Sequence, residues 1–142
     1  MAREYPEYPI ASVGVVVIKD DKVLLAQRGK EPARGRWTIP GGVIEVGETL
    51  HDAARREIME ECGIEVALGR LYKSYDSIVR DGEGRVRFHY VILDVLGTQT
   101  GGEVRAGGDV LDARWVGVAD LSHLDVLPAV AELVREVLGA QA

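Results

Sequence analysis

The sequence predicts an α/β domain in which helices pack against a mixed β-sheet. Three observations support this prediction: two apolar, β-branched runs near the N-terminus, a helix with signals at both of its ends, and the chain order strands, helix, strands, helix. The chain has 142 residues, of which 46% are hydrophobic and 28% are charged, and this composition is typical of one folded domain. We therefore expect a single domain over residues 1–142.

The first predicted element is a pair of strands. Residues 13–18 and 23–26 are continuous apolar runs, and the short polar segment between them predicts a hairpin that is buried on both faces. Residues 29–42 follow and contain four glycines and two prolines. Because these residues favour turns, we expect a loop there.

The clearest helix begins after Thr49 and ends at Cys62. Thr49 suits the N-cap position, Asp52 stands three residues later as in a capping box, and Gly63 suits the left-handed position that ends a helix. The remaining pattern predicts strands at 64–67, 71–79, 86–96 and 112–116. It also predicts a turn at 81–84 and a second helix at 127–138.

Composition excludes several classes of protein. The chain carries 17 basic and 23 acidic residues, and a net charge of −6 argues against general nucleic-acid binding. No apolar stretch approaches the ~20 residues of a membrane-spanning helix, and the N-terminus lacks the pattern of a secretory signal. The single cysteine, Cys62, is typical of a reducing compartment. We therefore expect a cytoplasmic protein without a nucleic-acid or membrane partner.

The charges are distributed unevenly along the chain. Residues 42–64 hold six acidic and two basic residues, whereas residues 28–36 hold four basic residues and one acidic residue. A protein surface usually mixes the two signs more evenly. This separation indicates an acidic site for cations beside a basic rim that meets anions.

Three glutamates fall close together on the predicted helix. Glu57, Glu60 and Glu61 are i, i+3 and i+4 neighbours within an arc of ~100°. Glu57 and Glu61 share this arc with the apolar residues Leu50 and Ala53, so burial would raise their pKa unless a positive charge joins them. Clustered carboxylate oxygens suit Mg²⁺ or Mn²⁺. The alternative is a solvated acidic face without a ligand.

The spacing of these glutamates favours the metal site. The stretch consists of Gly42, five residues, Glu48, seven residues, Arg56-Glu57, an aliphatic residue, any residue, Glu60-Glu61, any residue, Gly63 and an aliphatic residue. This stretch fills every fixed position of the Nudix hydrolase motif, and the preceding residues 36–42 are also similar to that family. The resemblance implies a strand–loop–helix–loop site in an α/β/α sandwich with a mixed β-sheet. It also implies metal-dependent hydrolysis of a nucleoside diphosphate linked to another moiety.

The resemblance also implies roles for individual residues. Glu57 and Glu61 correspond to the principal metal ligands, and Glu60 to a third acid that acts as a ligand or as a base. A main-chain carbonyl of Gly41 or Gly42 is expected to add to the ligands. The cation would neutralise phosphate oxygens and lower the pKa of a bound water.

Further roles concern the loop and the general base. Arg56 and Glu48 correspond to an ion pair that holds the glycine-rich loop against the helix. Glu60 or Glu57 is the expected base. In some relatives a distant acid takes this role, for which the candidates here are Glu83, Glu103 and Asp109.

The sequence is less informative about the substrate. Arg28 and Arg36 are candidates for phosphate contacts, with ordinary surface arginines as the alternative. Three tyrosines are weaker candidates for stacking on a nucleobase, namely Tyr5, Tyr8 and Tyr75. The N-terminal tail is also a candidate for reaching a neighbouring subunit in a homodimer.

The resemblance extends most clearly to small ADP-ribose pyrophosphatase-like members of the family. ADP-ribose or a related nucleotide sugar is therefore the expected substrate. One alternative is a nucleoside triphosphate pyrophosphatase that clears oxidised or non-standard nucleotides. Another is a catalytically silent module that senses nucleotides, but such modules usually lack some of the glutamates that are all present here.

Overall fold

The computed structural model describes residues 3–139 and confirms the α/β class. No helix in this range is long and apolar enough to span a membrane. The elements in chain order are β1 (Ile10–Lys19), β2 (Lys22–Arg28), β3 (Trp37–Thr38), β4 (Gly41–Val43), α1 (Leu50–Cys62), β5 (Ile64–Arg80), β6 (Val86–Gly102), β7 (Val110–Val116), a 3₁₀ helix (Val118–Ser122) and α2 (Pro128–Gly139).

Strand β1 lies at the centre of the sheet. It pairs in parallel with β6, from Ile10 opposite Tyr90 to Val17 opposite Gly97. Strand β5 pairs antiparallel with the far side of β6, and β4 and β2 pair antiparallel with β1 on its other side. Strands β3 and β7 both pair with β2. Parallel and antiparallel neighbours therefore meet in one mixed sheet, as the sequence predicts.

Both faces of β1 are covered, as predicted. Val16 packs into the cluster that contains the buried side of α2, whereas Val15 and Val17 pack into the cluster that contains the buried side of α1. Successive residues of a strand point to opposite faces, so this alternation places the two helices on opposite sides of the sheet. The result is the expected α/β/α sandwich.

The loop predicted for residues 29–42 contains two short strands, β3 and β4. Trp37 of β3 is buried and pairs with β2, while Gly41 of β4 pairs with Gly14 of β1. A Cβ on Gly41 would clash with the carbonyl oxygen of Val13, so glycine allows this close approach. The loop prediction was wrong for residues 37–38 and 41–42. Glycine and proline indicate turns locally, whereas the pairing of these short strands depends on the tertiary fold.

The strands predicted at 64–67 and 71–79 form one continuous strand, β5. Its pairing register with β6 shifts between Leu68 and Leu71 and again between Leu71 and Lys73. Gly69 and Arg70 lie inside this irregularity, which explains the gap in the sequence pattern. Strand β6 likewise continues beyond residue 96, to Gly102.

The ends of α1 agree with the prediction. The Asp52 amide donates to Thr49 Oγ1 at 3.1 Å, and the Gly63 amide donates to the Met59 carbonyl at 3.0 Å. Gly63 has a φ of 73°, in the left-handed region. The helix buries four residues against the sheet, namely Ala53, Ala54, Ile58 and Cys62.

Residues 3–9, which we call the N-terminal arm, are attached to the β5–β6 hairpin of the same chain through Glu4 and Tyr5. The Tyr5 amide donates to the Arg87 carbonyl at 2.7 Å, and Tyr5 Oη donates to Asp81 Oδ2 at 2.9 Å. These residues of the tail therefore pack within their own chain, and a homodimer remains a prediction.

Candidate functional site

A cleft of about 690 Å³ runs along one side of the sheet, and most of the predicted site residues face it. It is bounded by the end of β2, by β4, by α1, by the N-terminal end of α2 and by the outer part of the β5–β6 hairpin. Its volume falls within the range of small-molecule sites. The lining includes the following predicted site residues: Arg28, Gly41, Gly42, Arg56, Glu57, Glu60 and Glu61.

Glu61 links the helix to strand β4. Its Oε1 accepts a hydrogen bond of 2.7 Å from the Gly41 amide. Burial raises the pKa of Glu61 to about 7, and the neighbouring charge of Glu57 adds to the rise, whereas the Gly41 bond and the charge of Arg28 oppose it. An additional cation would therefore favour the ionised form of Glu61.

Glu57 is the second half-buried acid in the cleft. Its side chain is 13% exposed, and its Oε1 accepts from Arg56 Nη1 at 2.7 Å. Burial raises the pKa of Glu57, while the Arg56 guanidinium opposes the rise. A Cβ on Gly42 would collide with the Glu57 carboxylate, so the glycine leaves room for this side chain.

Arg56 fixes the loop before α1. Its Nε and Nη2 atoms donate to the two carboxylate oxygens of Glu48 at 2.7 and 2.8 Å, and Nη2 also donates to the Val43 carbonyl at 3.0 Å. Hydrogen bonding from Arg56 lowers the pKa of Glu48 to about 2. The structure thus brings Arg56 and Glu48 together as the resemblance implies.

Glu60 differs from its two neighbours on the helix. Its side chain is 54% exposed, and its Oε2 lies 3.5 Å from Arg56 Nη1. The carboxylate is therefore the most accessible of the three at the cleft.

The donors suit a hard divalent cation, although they are held by other partners. Within residues 3–139, no three acidic, histidine or cysteine side chains converge closely enough to enclose a cation as they stand. Arg56 holds Glu57, and the Gly41 amide holds Glu61. Both carboxylates are nevertheless half-buried beside the cleft with raised pKa values, and oxygen donors of this kind match Mg²⁺ or Mn²⁺.

The two arginines predicted to bind substrate lie in different places. Arg28 lines the cleft, and its Nε donates to the Pro32 carbonyl. Arg36 is not part of the cleft lining, because its Nε pairs with Asp125 Oδ1 at 3.1 Å and its Nη2 donates to the Val126 carbonyl at 3.4 Å. The structure therefore brings Arg28, but not Arg36, to the glutamates.

One of the three distant acids reaches the cleft. Asp109 lines it and pairs with Lys30 at 2.9 Å. Glu83 lies in the exposed hairpin turn, 3.5 Å from Arg85, and Glu103 is outside the cleft lining. Of the candidate bases away from α1, the geometry therefore favours Asp109.

The aromatic candidates also separate. Tyr75 lines the cleft, as does Tyr90, which the sequence did not single out. Tyr5 is bound to Asp81 on the hairpin, and Tyr8 is 76% exposed. Stacking on a nucleobase therefore remains a prediction for Tyr75 alone among the three.

Two charged residues were missed from the sequence. Arg3 lines the cleft from the N-terminal arm. Asp94 is fully buried in β6, and neither of its carboxylate oxygens has a hydrogen-bond partner within the described residues. An acid in the middle of an apolar strand was a signal for Asp94, whereas Arg3 lies in a segment without a recognisable pattern.

A family model described as "NUDIX domain" matches residues 9–137. The chain is 38% identical over 117 residues to a protein of Methanocaldococcus jannaschii named ADP-ribose pyrophosphatase. The aligned region covers 82% of this chain and 67% of the relative. It is 37% identical over 136 residues to a Mycobacterium tuberculosis protein named putative 8-oxo-dGTP diphosphatase 2, with 92% of each chain covered.

The fold also matches solved structures. A MutT NUDIX hydrolase from Burkholderia pseudomallei superposes with a TM-score of 0.75 at 28% identity, over 92% of this chain and 99% of the other. A NUDIX hydrolase from Nitrosomonas europaea superposes with a TM-score of 0.76 at 26% identity, over 96% of this chain and 73% of the other.

Proposed function

The chain belongs to the NUDIX family, and from this premise we propose that it hydrolyses the pyrophosphate bond of ADP-ribose or a related nucleotide sugar. The products would be a nucleoside monophosphate and a phosphorylated remainder. The observation that carries the proposal is the pair of half-buried carboxylates, Glu57 and Glu61, in a cleft that continues past them to Tyr75 and Tyr90. This extension offers space for the groups on either side of a diphosphate.

The metal assignment is part of this proposal. Glu57 and Glu61 would hold Mg²⁺ or Mn²⁺, with the Gly41 carbonyl as an additional donor, and Glu60 would serve either as a further ligand or as the base. When bound, the cation supplies neutralisation of the diphosphate charge and acidifies water.

We assign the proton transfer to Glu60 in preference to Glu57. Glu57 is held by Arg56 at 2.7 Å, whereas Glu60 is more exposed and more loosely held, so its carboxylate is available to a water in the cleft. The water oxygen attacks a phosphorus atom, its proton passes to Glu60, and the anhydride P–O bond breaks.

Other residues position the reacting groups. Arg56 and Glu48 hold the loop and helix in a fixed relation, and Arg28 is placed to contact a phosphate. Arg36 remains a predicted phosphate ligand without support from its position, because it is engaged with Asp125.

A second candidate function has its own support. The relative named putative 8-oxo-dGTP diphosphatase 2 matches this chain over 92% of both lengths. Hydrolysis of nucleoside triphosphates, including oxidised ones, would use the same glutamates and differ in how the cleft receives the base. A silent nucleotide sensor is less favoured, because all of the motif glutamates are present and three of them face the cleft.

The test is a substrate panel with Mg²⁺ and with Mn²⁺. It includes ADP-ribose, other nucleotide sugars, dinucleotides, and ordinary and 8-oxo nucleoside triphosphates. We expect the highest kcat/KM with ADP-ribose or another nucleotide sugar. A clear preference for 8-oxo-dGTP would select the second function, and tight binding without turnover would select the sensor.

The catalytic assignment is tested with Glu61→Gln. The amide oxygen can still accept from Gly41, but the ligand charge is lost, so we expect kcat to fall by about a hundredfold or more. Glu132→Gln, on the exposed side of α2, removes the same charge away from the cleft and serves as the control. Near-normal activity of Glu61→Gln would contradict the metal assignment.

The organisation of the chain is also proposed. Residues 1–142 would act as one domain, located in the cytoplasm, with a homodimer as the predicted assembly. Sedimentation equilibrium at several protein concentrations would show whether the mass is that of one chain or two.

A further inference from the structure

We propose that Arg3 is a substrate-binding residue whose guanidinium contacts a phosphate oxygen of the bound diphosphate, and that the N-terminal arm holds it at the cleft. This inference rests on the proposed function, since it assigns part of the same cleft. It concerns a residue outside the Gly42–Ile64 motif and in a different segment from Arg28.

The arm is fixed to the β5–β6 hairpin by contacts of Glu4 and Tyr5. The Tyr5 ring lies under the Arg85 guanidinium, 4.8 Å from its centroid, in addition to the two Tyr5 hydrogen bonds described above. Glu4 pairs with Arg87 at 3.0 Å. Tyr5 has a φ of 52°, a conformation that is unfavourable for tyrosine and that these contacts must compensate. The residue before Glu4 is therefore held in a defined place.

That place is the cleft. Arg3 belongs to its lining, together with Glu57 and the outer residues of β5. Arg28 lines the same cleft from the end of β2.

Arg3 differs from the other cations of the cleft in what it binds. Arg56 is occupied by Glu48 and Glu57, and Lys30 pairs with Asp109. Within residues 3–139, the Arg3 guanidinium has neither a hydrogen-bonded nor an ion-paired partner. Its donors are therefore available to a ligand.

The chemistry of the ligand follows from the donor. A guanidinium offers planar, paired N–H groups that match the oxygens of a phosphate, and a diphosphate held at the glutamates would present such oxygens beside Glu57. Arg3 and Arg28 would then approach the diphosphate from two different segments of the chain. The expected consequence is tighter binding of the anionic part of the substrate.

The first experiment compares Arg3→Gln with Arg135→Gln in the full-length chain. Arg135 is exposed on α2, outside the cleft lining, so its variant carries the same charge change without a change in the cleft. For Arg3→Gln we expect KM for the preferred panel substrate to rise about tenfold, with kcat within about twofold of wild type. Arg3→Lys should restore part of the loss, and Arg135→Gln should behave as wild type.

The second experiment tests the arm as the positioning device. Tyr5→Ala removes the contacts with Asp81 and Arg85, so we expect KM to rise about as much as in Arg3→Gln. In the double variant the two effects should not multiply, because each loses the same Arg3 contact. Fully multiplicative effects would contradict positioning through Arg3.

A binding measurement separates this inference from the proposed function. Calorimetric titration with inorganic pyrophosphate in the presence of Mg²⁺ needs no turnover, and Arg3→Gln should weaken binding about tenfold. If wild type binds pyrophosphate in an Arg3-dependent way but hydrolyses nothing in the panel, the proposed function fails and the Arg3 site stands. If turnover is present while Arg3→Gln retains wild-type KM and pyrophosphate affinity, the Arg3 inference is wrong.

Discussion

Asp94 is an unusual residue for its position, because it places an ionisable carboxyl in the buried interior of β6. Its carboxyl lies against Gly14 of the neighbouring strand, where a Cβ would collide with Oδ1. Burial raises the pKa of Asp94 to about 6, and the charge of Lys73 opposes this rise. The folded protein therefore holds a proton on Asp94 at pH values where the unfolded chain has lost it.

The sign of the resulting pH dependence follows directly. The contribution of Asp94 to stability is largest below pH 4, decreases as the pH rises from about 4 to about 6, and is absent above that range. The total decrease in the free energy of unfolding is about 3 kcal/mol. We expect Asp94→Asn to remove this decrease. The free energy of unfolding of this variant, measured by urea denaturation from pH 4 to pH 7, should increase relative to that of wild type as the pH rises.

A matched control is available in the turn between β1 and β2. Asp20 is exposed and has a φ of 52°, which asparagine also tolerates, so the stability of Asp20→Asn should follow the wild-type curve at every pH. Parallel curves for Asp94→Asn and wild type would show that ionisation of the Asp94 carboxyl does not lower the stability of the folded protein.

At the scale of elements, Arg56 joins α1 to the loop that leaves β4. Its guanidinium reaches both oxygens of Glu48, one oxygen of Glu57 and the Val43 carbonyl at once. A lysine ammonium has no planar fork and cannot make this set of contacts. The relation between loop and helix therefore depends on arginine, and not only on a positive charge.

We expect Arg56→Lys to lower kcat by about a hundredfold, because Glu57 and the loop lose their fixed positions. The free energy of unfolding should fall by about 1–2 kcal/mol. Arg55→Lys is the neighbouring control, since Arg55 is exposed and pairs with Asp52 at 3.4 Å, and its kcat should stay within about twofold of wild type. Equal effects of the two substitutions on kcat would argue against the bidentate contact as the cause.

The sequence predicts those elements whose signals are local. Helix α1 has its cap, its acidic face and its glycine end within one short segment, so the helix and its three glutamates could be located from spacing alone. Strand β4 could not be located, because it exists only through pairing with β1. Arg36 illustrates the same limit, since its partner Asp125 lies far along the chain and nothing near Arg36 indicates it.

At the scale of the molecule, the site depends on the whole fold. Glu61 comes from α1, its partner Gly41 from β4, and β4 is held by β1 at the centre of the sheet. A cation bound here would favour the native state, because the unfolded chain does not bring these groups together. The stability of the domain should therefore respond to metal even without substrate.

We expect Mn²⁺ at about a hundred times its dissociation constant to stabilise the protein by about 2.7 kcal/mol. The rise in melting temperature, followed by circular dichroism, should be larger at pH 8 than at pH 6, because the pKa of Glu61 is about 7 and protons compete with the cation. Glu61→Gln should lose most of the rise, and Glu132→Gln should keep it. An equal rise in both variants would place the cation elsewhere.

The parallel pairing of β1 with β6 also bears on how the molecule is made. Ile10 lies opposite Tyr90 in the register, so the central strand emerges from the ribosome long before its neighbour. Until β6 has been synthesised, the valines of β1 are incompletely buried and can associate with other chains. Closing so long a loop is also slow. Refolding of this protein should therefore be slower than that of a domain of similar size whose paired strands are close in sequence, and aggregation of the unfolded chain should compete with it.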